Sequence, residues 1–431
     1  MRINILLTWY NKTFTEEDDR ISLSLKYFYM KDAQIKKLIE AEKKRQKRVI
    51  NLIPSENYVS KDVLEALGSI FDNKYAEGYP HARYYGGQEN IDRLEELCQK
   101  RALKLFKLKK DDWHVNVQPL SGAPANLAVY LGLVPPGGII SAQGLGGQGK
   151  VMGLPLSSGG HLSHGQKVSI TGKVWQQVPI AIDAATELID YEKMKQSAVE
   201  TKPNLIVVGF TAYPRAVDFK KCREIADSCG AFLMVDMSHF AGLVAGEAYP
   251  SPFDYADVVT TTTHKTLRGP RGAIIFCKKD GRELNKKIDK AVFPGLQGGP
   301  HMGQVAGVAV ALKEAASPQF KKYAKQVVKN AVALAGALAR LGWRVVSGGT
   351  DSHLVLVDTW MDGKGISGKE AEAKLEKAGI IVNKNTIPGE KRSPFDPSGI
   401  RMGSPAETTR GRNEKDFVRI AEKIDKVLRS G

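Results

Sequence analysis

The sequence predicts an α/β fold in which a mostly parallel sheet lies between helices, followed by a smaller α+β domain. The first observation is the length of 431 residues, which is enough for two or three domains with a sizeable core. The second is the alternation of short apolar segments with helical stretches, which is typical of a parallel sheet covered on both faces. The third is a change of pattern after the glycine-rich segment 293–300, where long helices replace the alternation.

The predicted elements follow the chain in order. A basic amphipathic helix covers 32–49, Ser60 caps a helix that starts at Lys61, and apolar residues at helical spacing between Ile91 and Leu105 predict a third helix. The central strands are predicted at 115–117, 138–142, 204–209, 231–236, 256–262 and 272–276, with helices at 122–133, 191–200 and 218–229. The C-terminal elements are predicted as helices 302–316, 318–341, 368–378 and 414–429 and strands 343–347 and 354–358.

These elements suggest four segments along the chain. Residues 1–30 show no clear period and are interpreted as an extension, in which Met30 is a second candidate start. Residues 31–60 form an N-terminal arm, 61–312 a large domain and 313–431 a small C-terminal domain. No apolar run approaches the ~20 residues that a membrane helix needs, and the opening segment does not have the pattern of a secretory or transit peptide.

The cysteines and the net charge narrow the class of protein. The four cysteines form no C-x-x-C pair and have no metal-ligand spacing with histidine, so we expect a reducing compartment, the cytoplasm, and no metal site. The net charge of +16 is compatible with nucleic-acid binding or with the attraction of anionic small molecules. The densest basic run, 43–48, lies in a helical pattern and is interpreted as a solvated helix face. No dedicated RNA-binding module is evident.

Three short segments carry residues that suit one cofactor. Lys265 stands in a polar turn after the β-branched segment 258–262, a setting suited to Schiff-base chemistry. Asp236 ends an apolar strand, and such a carboxylate can keep a pyridine nitrogen protonated. Ser121 and Gly122 follow a strand and open a helix, where free backbone N–H groups favour a phosphate. Together they predict a site for pyridoxal 5'-phosphate (PLP).

From about residue 31 to the C-terminus, the chain resembles the serine hydroxymethyltransferase family. The resemblance rests on long motifs: NLIPSEN (51–57), NKYAEGYPHARYYGG (73–87), GGHLSHG (159–165), VDMSHFAGLVAG (235–246), TTTTHKTLRGPRG (260–272), FPGLQGGP (293–300), VSGGTDSHL (346–354) and SGIRMGSPA (398–406). It implies a fold type I PLP enzyme that interconverts serine and glycine with a reduced pterin.

The resemblance also implies roles around the cofactor. Lys265 would hold PLP as a Schiff base, Asp236 would pair with the ring nitrogen, and His161 would stack on the ring face. Thr211 and His239 would form hydrogen bonds near the ring hydroxyl. The phosphate would be held by Ser121, by the backbone of Gly122 and Ala123, and by His264. Position 123 is serine in many family members, so one side-chain contact is absent here. The remaining cofactor-side residues are Thr262 and Arg271.

Substrate residues follow from the same resemblance. Arg401 would grip the amino-acid carboxylate with Ser55, because a guanidinium donates two parallel hydrogen bonds to a carboxylate. Glu77 would transfer protons at the serine hydroxymethyl group, with Tyr84 as a catalytic group and Tyr85 as a substrate contact. The implied pterin-side residues are Leu156, Gly160, Leu162, Asn385, Ser393 and Phe395.

Tyr75 and Gly299 resemble residues that reach the cofactor of a neighbouring subunit, so we expect a homodimer, with a tetramer left open. Serine, glycine and the reduced pterin are the expected small-molecule partners, and tetrahydrofolate and a modified tetrahydropterin both remain open. One alternative is a threonine aldolase that uses no pterin, which the segments 75–87 and 378–395 argue against. A basic nucleic-acid binder is the alternative from a different class.

Overall fold

The computed structural model describes residues 30–137 and 149–430. The predicted strand 138–142 and nearly all of the extension 1–30 therefore lie outside the described residues. By its internal contacts the chain divides into two compact units, Met1–Ile50 and Asn51–Gly431. The domain boundaries proposed from the sequence stay predictions.

The described part of the first unit is mainly one helix, α1 (Ala33–Arg48). It begins at the predicted position because the Asp32 side chain accepts hydrogen bonds from the N–H groups of Gln34 and Ile35. None of its residues is buried, which agrees with the interpretation of its basic run as a solvated face.

The second unit contains the remaining helices, and a short strand, β1 (Ile50–Asn51), stands at the boundary. The helices in the described part are α2 (Lys61–Leu67), α3 (Glu89–Leu105), α4 (Gly122–Leu133), α5 (Ile170–Val174), α6 (Tyr191–Thr201), α7 (Phe219–Cys229), α8 (Ala241–Ala245), α9 (Leu284–Lys290), α10 (Met302–Ala315), α11 (Pro318–Arg340), α12 (Gly368–Lys377), α13 (Pro405–Thr409) and α14 (Glu414–Arg429). The Ser60 hydroxyl accepts from Val63 N–H and caps α2 as predicted.

Apart from β13, the strands of the second unit form two main sheets and a small hairpin. They are β2 (Gly78–Tyr79), β3 (Ala82–Arg83), β4 (Trp113–Asn116), β5 (Lys150–Gly153), β6 (Gln176–Pro179), β7 (Leu205–Gly209), β8 (Phe232–Asp236), β9 (Val258–Thr262), β10 (Ala273–Lys278), β11 (Arg344–Val345), β12 (Leu354–Asp358), β13 (Ile380–Ile381), β14 (Asn383–Asn385) and β15 (Gly399–Gly403).

The central sheet has seven strands in the order β4-β10-β9-β8-β7-β5-β6. All neighbours pair in parallel except β10, which is antiparallel to β4 and β9. Alternate residues of β7 belong to different apolar clusters. Ile206 and Val208 share one with residues of α3, α7 and α10, whereas Leu205 and Val207 share the other with residues of α4 and α9. The predicted fold class is confirmed.

In the parallel register, Gly209 lies opposite Asp236, and Asp236 lies opposite Thr260. The carboxyl ends of β7, β8 and β9 therefore open at one edge, where α/β proteins bind their ligands. At Gly209 the backbone φ is +147°, and an added Cβ would clash with the carbonyl oxygen of Asp236. Glycine thus allows the ends of β7 and β8 to lie close together.

The C-terminal sheet is antiparallel, in the order β11-β12-β15-β14. Its fully buried strand β15 was not predicted, because a Gly-Ile-Arg-Met-Gly segment lacks an apolar period. The prediction of a strand over 343–347 was too long, since Val346–Gly348 forms a 3₁₀ turn with Ser347 at φ +54°. Strands β5 and β6, each only four residues long, were also not predicted. No helix in the described ranges is long and apolar enough to cross a membrane.

Candidate active site

A cavity of about 220 Å³ opens at the carboxyl ends of β7, β8 and β9. Nearly all of its lining residues were predicted for the cofactor, and Phe210 and Ser238 are the two that were not. The lining consists of Ser121, Gly122, Ala123, His161, Phe210, Thr211, Asp236, Ser238, His239, Thr262, His264, Lys265 and Arg271. The fold thus brings the three segments singled out in the sequence to one place.

Lys265 follows β9 and is only 9% exposed. Burial lowers the pKa of its amine to about 8, because a charged group loses hydration there. The Asp236 carboxylate opposes this shift, whereas the positive charges of Arg401 and Arg271 add to it. A substantial fraction of the amine is therefore neutral near pH 8, as a nucleophile that attacks an aldehyde must be.

The Asp236 carboxylate is held in its ionised form by a dense set of donors. Asn126 Nδ2 donates to Oδ2 at 2.8 Å, His164 Nε2 lies 3.2 Å from Oδ2, and the Ser238 N–H donates to Oδ1 at 3.0 Å. Burial alone would raise the pKa of Asp236, but the hydrogen bond and charge of His164 hold it well below its usual value. Such a carboxylate suits a protonated ring nitrogen.

Asn126 and His164 were not predicted as site residues, although Asn126 lies in the predicted helix 122–133 and His164 in the motif 159–165. Asn126 is one helical turn into α4, and His164 is three residues after His161. Their spacing in the sequence does not indicate that they meet Asp236, 110 and 72 residues away respectively.

Four histidines of the site, His161, His239, His264 and His353, are neutral over the physiological pH range. Burial, with the nearby charge of His164, lowers the pKa of His161 to about 4, and burial lowers the pKa of His264 to about 3. His239 Nδ1 lies 3.2 Å from Nε2 of His353 in a stacked pair, where burial also keeps both pKa values low. His353 belongs to the motif 346–354 but was not predicted as a site residue.

The first turn of α4 offers free backbone donors. Ser121 is the N-cap residue, yet its side chain makes no capping hydrogen bond and so is available to a ligand. At Gly122 an added Cβ would lie 2.6 Å from Cγ2 of Thr262, so glycine lets α4 begin close to the end of β9.

Two buried polar atoms of the cavity lack hydrogen-bond partners in the part of the chain that the structure describes. They are Thr211 Oγ1 and His264 Nδ1. Buried polar groups are rarely left unpaired, so these atoms indicate a polar ligand. The residues present fit PLP, which offers a phosphate, a phenolic oxygen and a ring nitrogen.

Arg401 lies in β15 beside the cavity rather than among its lining residues. Its Nη1 donates to the carbonyl of Thr211 at 2.6 Å and its Nε donates to Oδ1 of Asn383 at 2.9 Å. Burial lowers its pKa to about 10, so it stays charged at neutral pH. The segment of Ser55 packs against the same strand, because the Gly403 N–H donates to the Leu52 carbonyl.

The other residues predicted to act in catalysis, to contact the substrate or to reach a neighbouring subunit's cofactor form a separate cluster. We call it the Glu77 cluster, and it consists of Tyr75, Glu77, Tyr84, Tyr85 and Gly299. Tyr75 and Tyr85 meet edge to face at 5.3 Å, and Tyr75 and Gly299 line a second cavity of about 640 Å³. The three tyrosines are between 50% and 72% exposed. No member of the Glu77 cluster is among the lining residues of the first cavity.

The pterin candidates occupy two segments. Leu156, Gly160 and Leu162 flank His161, and both leucines are exposed. Asn385 ends β14, and Ser393 and Phe395 lie in the loop before β15, with Phe395 84% exposed. The segments are linked through hydrogen bonds from Thr211 N–H to the Gly159 carbonyl and from Arg401 to Thr211 and Asn383.

A buried lysine and an ionised aspartate at the carboxyl ends of a mostly parallel sheet fit a PLP-dependent enzyme of fold type I. A family model described as serine hydroxymethyltransferase matches residues 28–424. The chain belongs to the serine hydroxymethyltransferase family, whose members depend on PLP and use tetrahydrofolate as a co-substrate. It is a transferase of serine, glycine and one-carbon metabolism.

Curated relatives agree with this assignment. A serine hydroxymethyltransferase of Desulfotalea psychrophila is 53% identical over 92% of this chain and 88% of its own length. A cytosolic serine hydroxymethyltransferase of Saccharomyces cerevisiae is 48% identical over 96% of this chain and 89% of its own. A relative from Neurospora crassa, named as mitochondrial, is 47% identical over 98% and 79%.

Proposed function

We propose that this chain reversibly transfers the hydroxymethyl carbon of serine to tetrahydrofolate, giving glycine and the 5,10-methylene form, with PLP bound through Lys265. The observation that carries the proposal is the pair formed by Lys265, with its pKa near 8, and the ionised Asp236 in one cavity. When bound, PLP supplies an electron sink for the carbanion that is left when the carbon–carbon bond breaks.

The chain's own residues bind and orient the reactants. Asp236 would hold a proton on the ring nitrogen of PLP, and the neutral His161 would pack against the ring. Ser121 and the first N–H groups of α4, at Gly122 and Ala123, hold the phosphate. The remaining cofactor contacts are assigned to Thr211, His239, Thr262, His264 and Arg271.

Arg401 and Glu77 act on serine in this proposal. Arg401 Nη2 has no hydrogen-bond partner within residues 30–137 and 149–430, so it is free to bind the serine carboxylate, with help from Ser55. Glu77 exchanges a proton with the hydroxymethyl oxygen as the carbon leaves, next to Tyr84 and Tyr85. The pterin is assigned to Leu156, Gly160, Leu162, Asn385, Ser393 and Phe395. The exposed apolar side chains of Leu156, Leu162 and Phe395 suit a flat ring system.

The direct test is the formation of glycine from serine by the purified protein, with and without tetrahydrofolate. We expect turnover to require the pterin and to be lost in Lys265→Ala together with the visible absorbance of bound PLP. Replacement of the exposed Lys364 by alanine serves as a control and should change neither property. Full turnover by Lys265→Ala would refute the proposal, and pterin-independent cleavage of threonine-type substrates alone would favour an aldolase.

We further propose that each active site is built from two chains. The Glu77 cluster lies outside the cavity that contains Lys265, and its tyrosines are largely exposed in a single chain. A second copy that brings its Glu77 cluster against this cavity would cover those rings and complete the set of predicted catalytic groups. A homodimer is therefore the assembly that we propose.

We also assign the enzyme to the cytosol, because relatives from Saccharomyces cerevisiae and Candida glabrata are named cytosolic. The Neurospora crassa relative is named mitochondrial, so fractionation of cells with an antibody to the chain is the appropriate test. Recovery with a mitochondrial marker would overturn this assignment.

A further inference from the structure

One buried arginine donates hydrogen bonds to the backbone on both sides of Glu77. Arg83 Nη1 donates to the carbonyl of Ala76 at 2.9 Å and to the carbonyl of Gly78 at 2.8 Å, which are the residues on either side of Glu77. The Arg83 side chain is only 3% exposed. It therefore spans the peptide segment that carries the proposed proton-transfer group.

Arg83 is itself anchored on α3. Its Nη2 donates to Glu95 at 2.6 Å and its Nε to Asp92 at 2.9 Å, and Glu95 is fully buried. Gln118 Nε2 supports the same arrangement, since it donates to the Gly78 carbonyl and to Glu95, each at 2.9 Å. A guanidinium can serve four acceptors in fixed directions, which the single ammonium of a lysine cannot do.

The loop leaves Glu77 a rigid backbone and a free side chain. The Tyr84 N–H donates to the Glu77 carbonyl at 3.1 Å, and Gly78, at φ +96°, lies so close to Ala82 that an added Cβ would clash with its carbonyl oxygen. The Glu77 carboxylate forms no hydrogen bond or ion pair with any residue that the structure describes. Because its backbone is fixed and its carboxylate has no hydrogen-bond partner in the described part of the chain, Glu77 can exchange a proton with a bound substrate.

We propose that Arg83 is a positioning residue for the hydroxymethyl transfer, and that Glu95, Asp92 and Gln118 hold it in place. This inference rests on the proposed proton-transfer role of Glu77. Arg83 touches neither cofactor nor substrate in it, and it acts only by fixing where the Glu77 carboxylate can reach.

The test is a double-mutant cycle between Arg83→Lys and Glu77→Gln. Arg83→Lys keeps a positive charge near Glu95 but cannot hold both carbonyls, so we expect kcat for serine with tetrahydrofolate to fall about 10- to 100-fold. The KM for serine, the visible absorbance of bound PLP and the exchange of the glycine α-proton with solvent should not change, because they do not involve Glu77. In the Glu77→Gln background, Arg83→Lys should cause no further loss.

Arg101 offers a matched control, because it lies on α3, the helix that anchors Arg83, and likewise donates to a backbone carbonyl, that of Ala309 at 2.8 Å. Arg101→Lys should leave kcat unchanged. Should Arg83→Lys fail to fold, Glu95→Gln is the second variant, since it weakens the anchor of Arg83 and should lower kcat to a smaller extent, again only when Glu77 is present.

The outcomes separate this inference from the function on which it rests. Full activity of Glu77→Gln would remove the proposed role of Glu77 itself. If Glu77→Gln loses activity while Arg83→Lys and Glu95→Gln keep a normal kcat, only the positioning role of Arg83 is overturned. Equal losses from Arg83→Lys with and without Glu77 would also overturn it, because Arg83 would then act independently of that carboxylate.

Discussion

At the scale of single residues, the chemistry depends on how burial and neighbouring groups shift the pKa of each side chain. An exposed lysine titrates near pKa ~10.4, whereas burial brings Lys265 to about 8. The opposite outcome at Asp236 has an equally local cause, since its donors outweigh the desolvation that would otherwise protonate it. The same cavity thus holds a reactive amine and a permanent negative charge.

The lowered pKa of Lys265 predicts how the apoenzyme takes up PLP. Only the neutral amine attacks an aldehyde, so the rate of reconstitution should rise with pH up to about 8 and level off above it. His161 and His264, with pKa values of about 4 and 3, stay neutral over this range and add no second inflection. Stopped-flow absorbance at a series of pH values measures the profile.

Arg401→Gln is the informative variant for this profile. It removes a positive charge that lowers the pKa of Lys265, so the midpoint should move to higher pH. A midpoint near that of free lysine in the unmodified protein would contradict the prediction, because it would mean that the amine is not desolvated.

At the scale of elements, the site depends on how closely α4 approaches β9. Gly122 contacts Thr262, and Asn126, one turn further along α4, accepts a hydrogen bond from Thr260 and donates to Asp236. The helix therefore presents its N-terminal donors and supports Asp236 at the same time. A displacement of its first turn would therefore disturb both the groups that would bind the phosphate and the carboxylate that would pair with the ring nitrogen.

Gly122→Ala is predicted to weaken PLP binding. The new Cβ would lie 2.6 Å from Cγ2 of Thr262, and overpacking of this kind typically costs about 1–3 kcal/mol. We expect the Kd for PLP to rise about tenfold or more, measured by titration of the apoenzyme. Thr262→Ser removes Cγ2 and should restore much of the affinity.

Gly336→Ala in α11 is the control for this substitution. Its new Cβ would meet only the end of the flexible Arg340 side chain, at 3.5 Å. PLP affinity should not change, and thermal stability should rise slightly because alanine is favoured over glycine inside a helix. An unchanged Kd for PLP in Gly122→Ala would contradict the prediction, because α4 could then move away from β9 without weakening PLP binding.

At the scale of the whole molecule, the predicted catalytic groups lie in two places. The lysine, the aspartate and the phosphate-binding turn share one cavity, whereas the Glu77 cluster lies outside it, with Tyr75 and Gly299 lining another. If two chains complete each site, an inactive variant in the Lys265 cavity and an inactive variant in the Glu77 cluster can restore activity when their subunits are mixed.

Mixing Lys265→Ala with Glu77→Gln subunits tests this arrangement. A mixed dimer would contain one site with both groups intact and one with neither, so random exchange should restore about a quarter of the normal activity. The two variants assayed separately provide the baseline. No recovery after verified subunit exchange would mean that Lys265 and Glu77 act within one chain.

The sequence by itself determined the elements and the nature of the chemistry. Periodicity placed α1 and the strands β7, β8 and β9, and the Ser60 cap placed α2, since these signals act within a few residues of the backbone. Lys265 and Asp236 could be found because Asp236 ends a buried strand and Lys265 follows another, and parallel strands end at one edge.

Only the tertiary structure decided which distant segments meet and what burial does to them. The approach of His164 and Asn126 to Asp236 and the pairing of His239 with His353 depend on sheet register and helix packing, which no local pattern encodes. The same holds for the amine of Lys265, whose pKa reflects the removal of water by the whole surrounding fold.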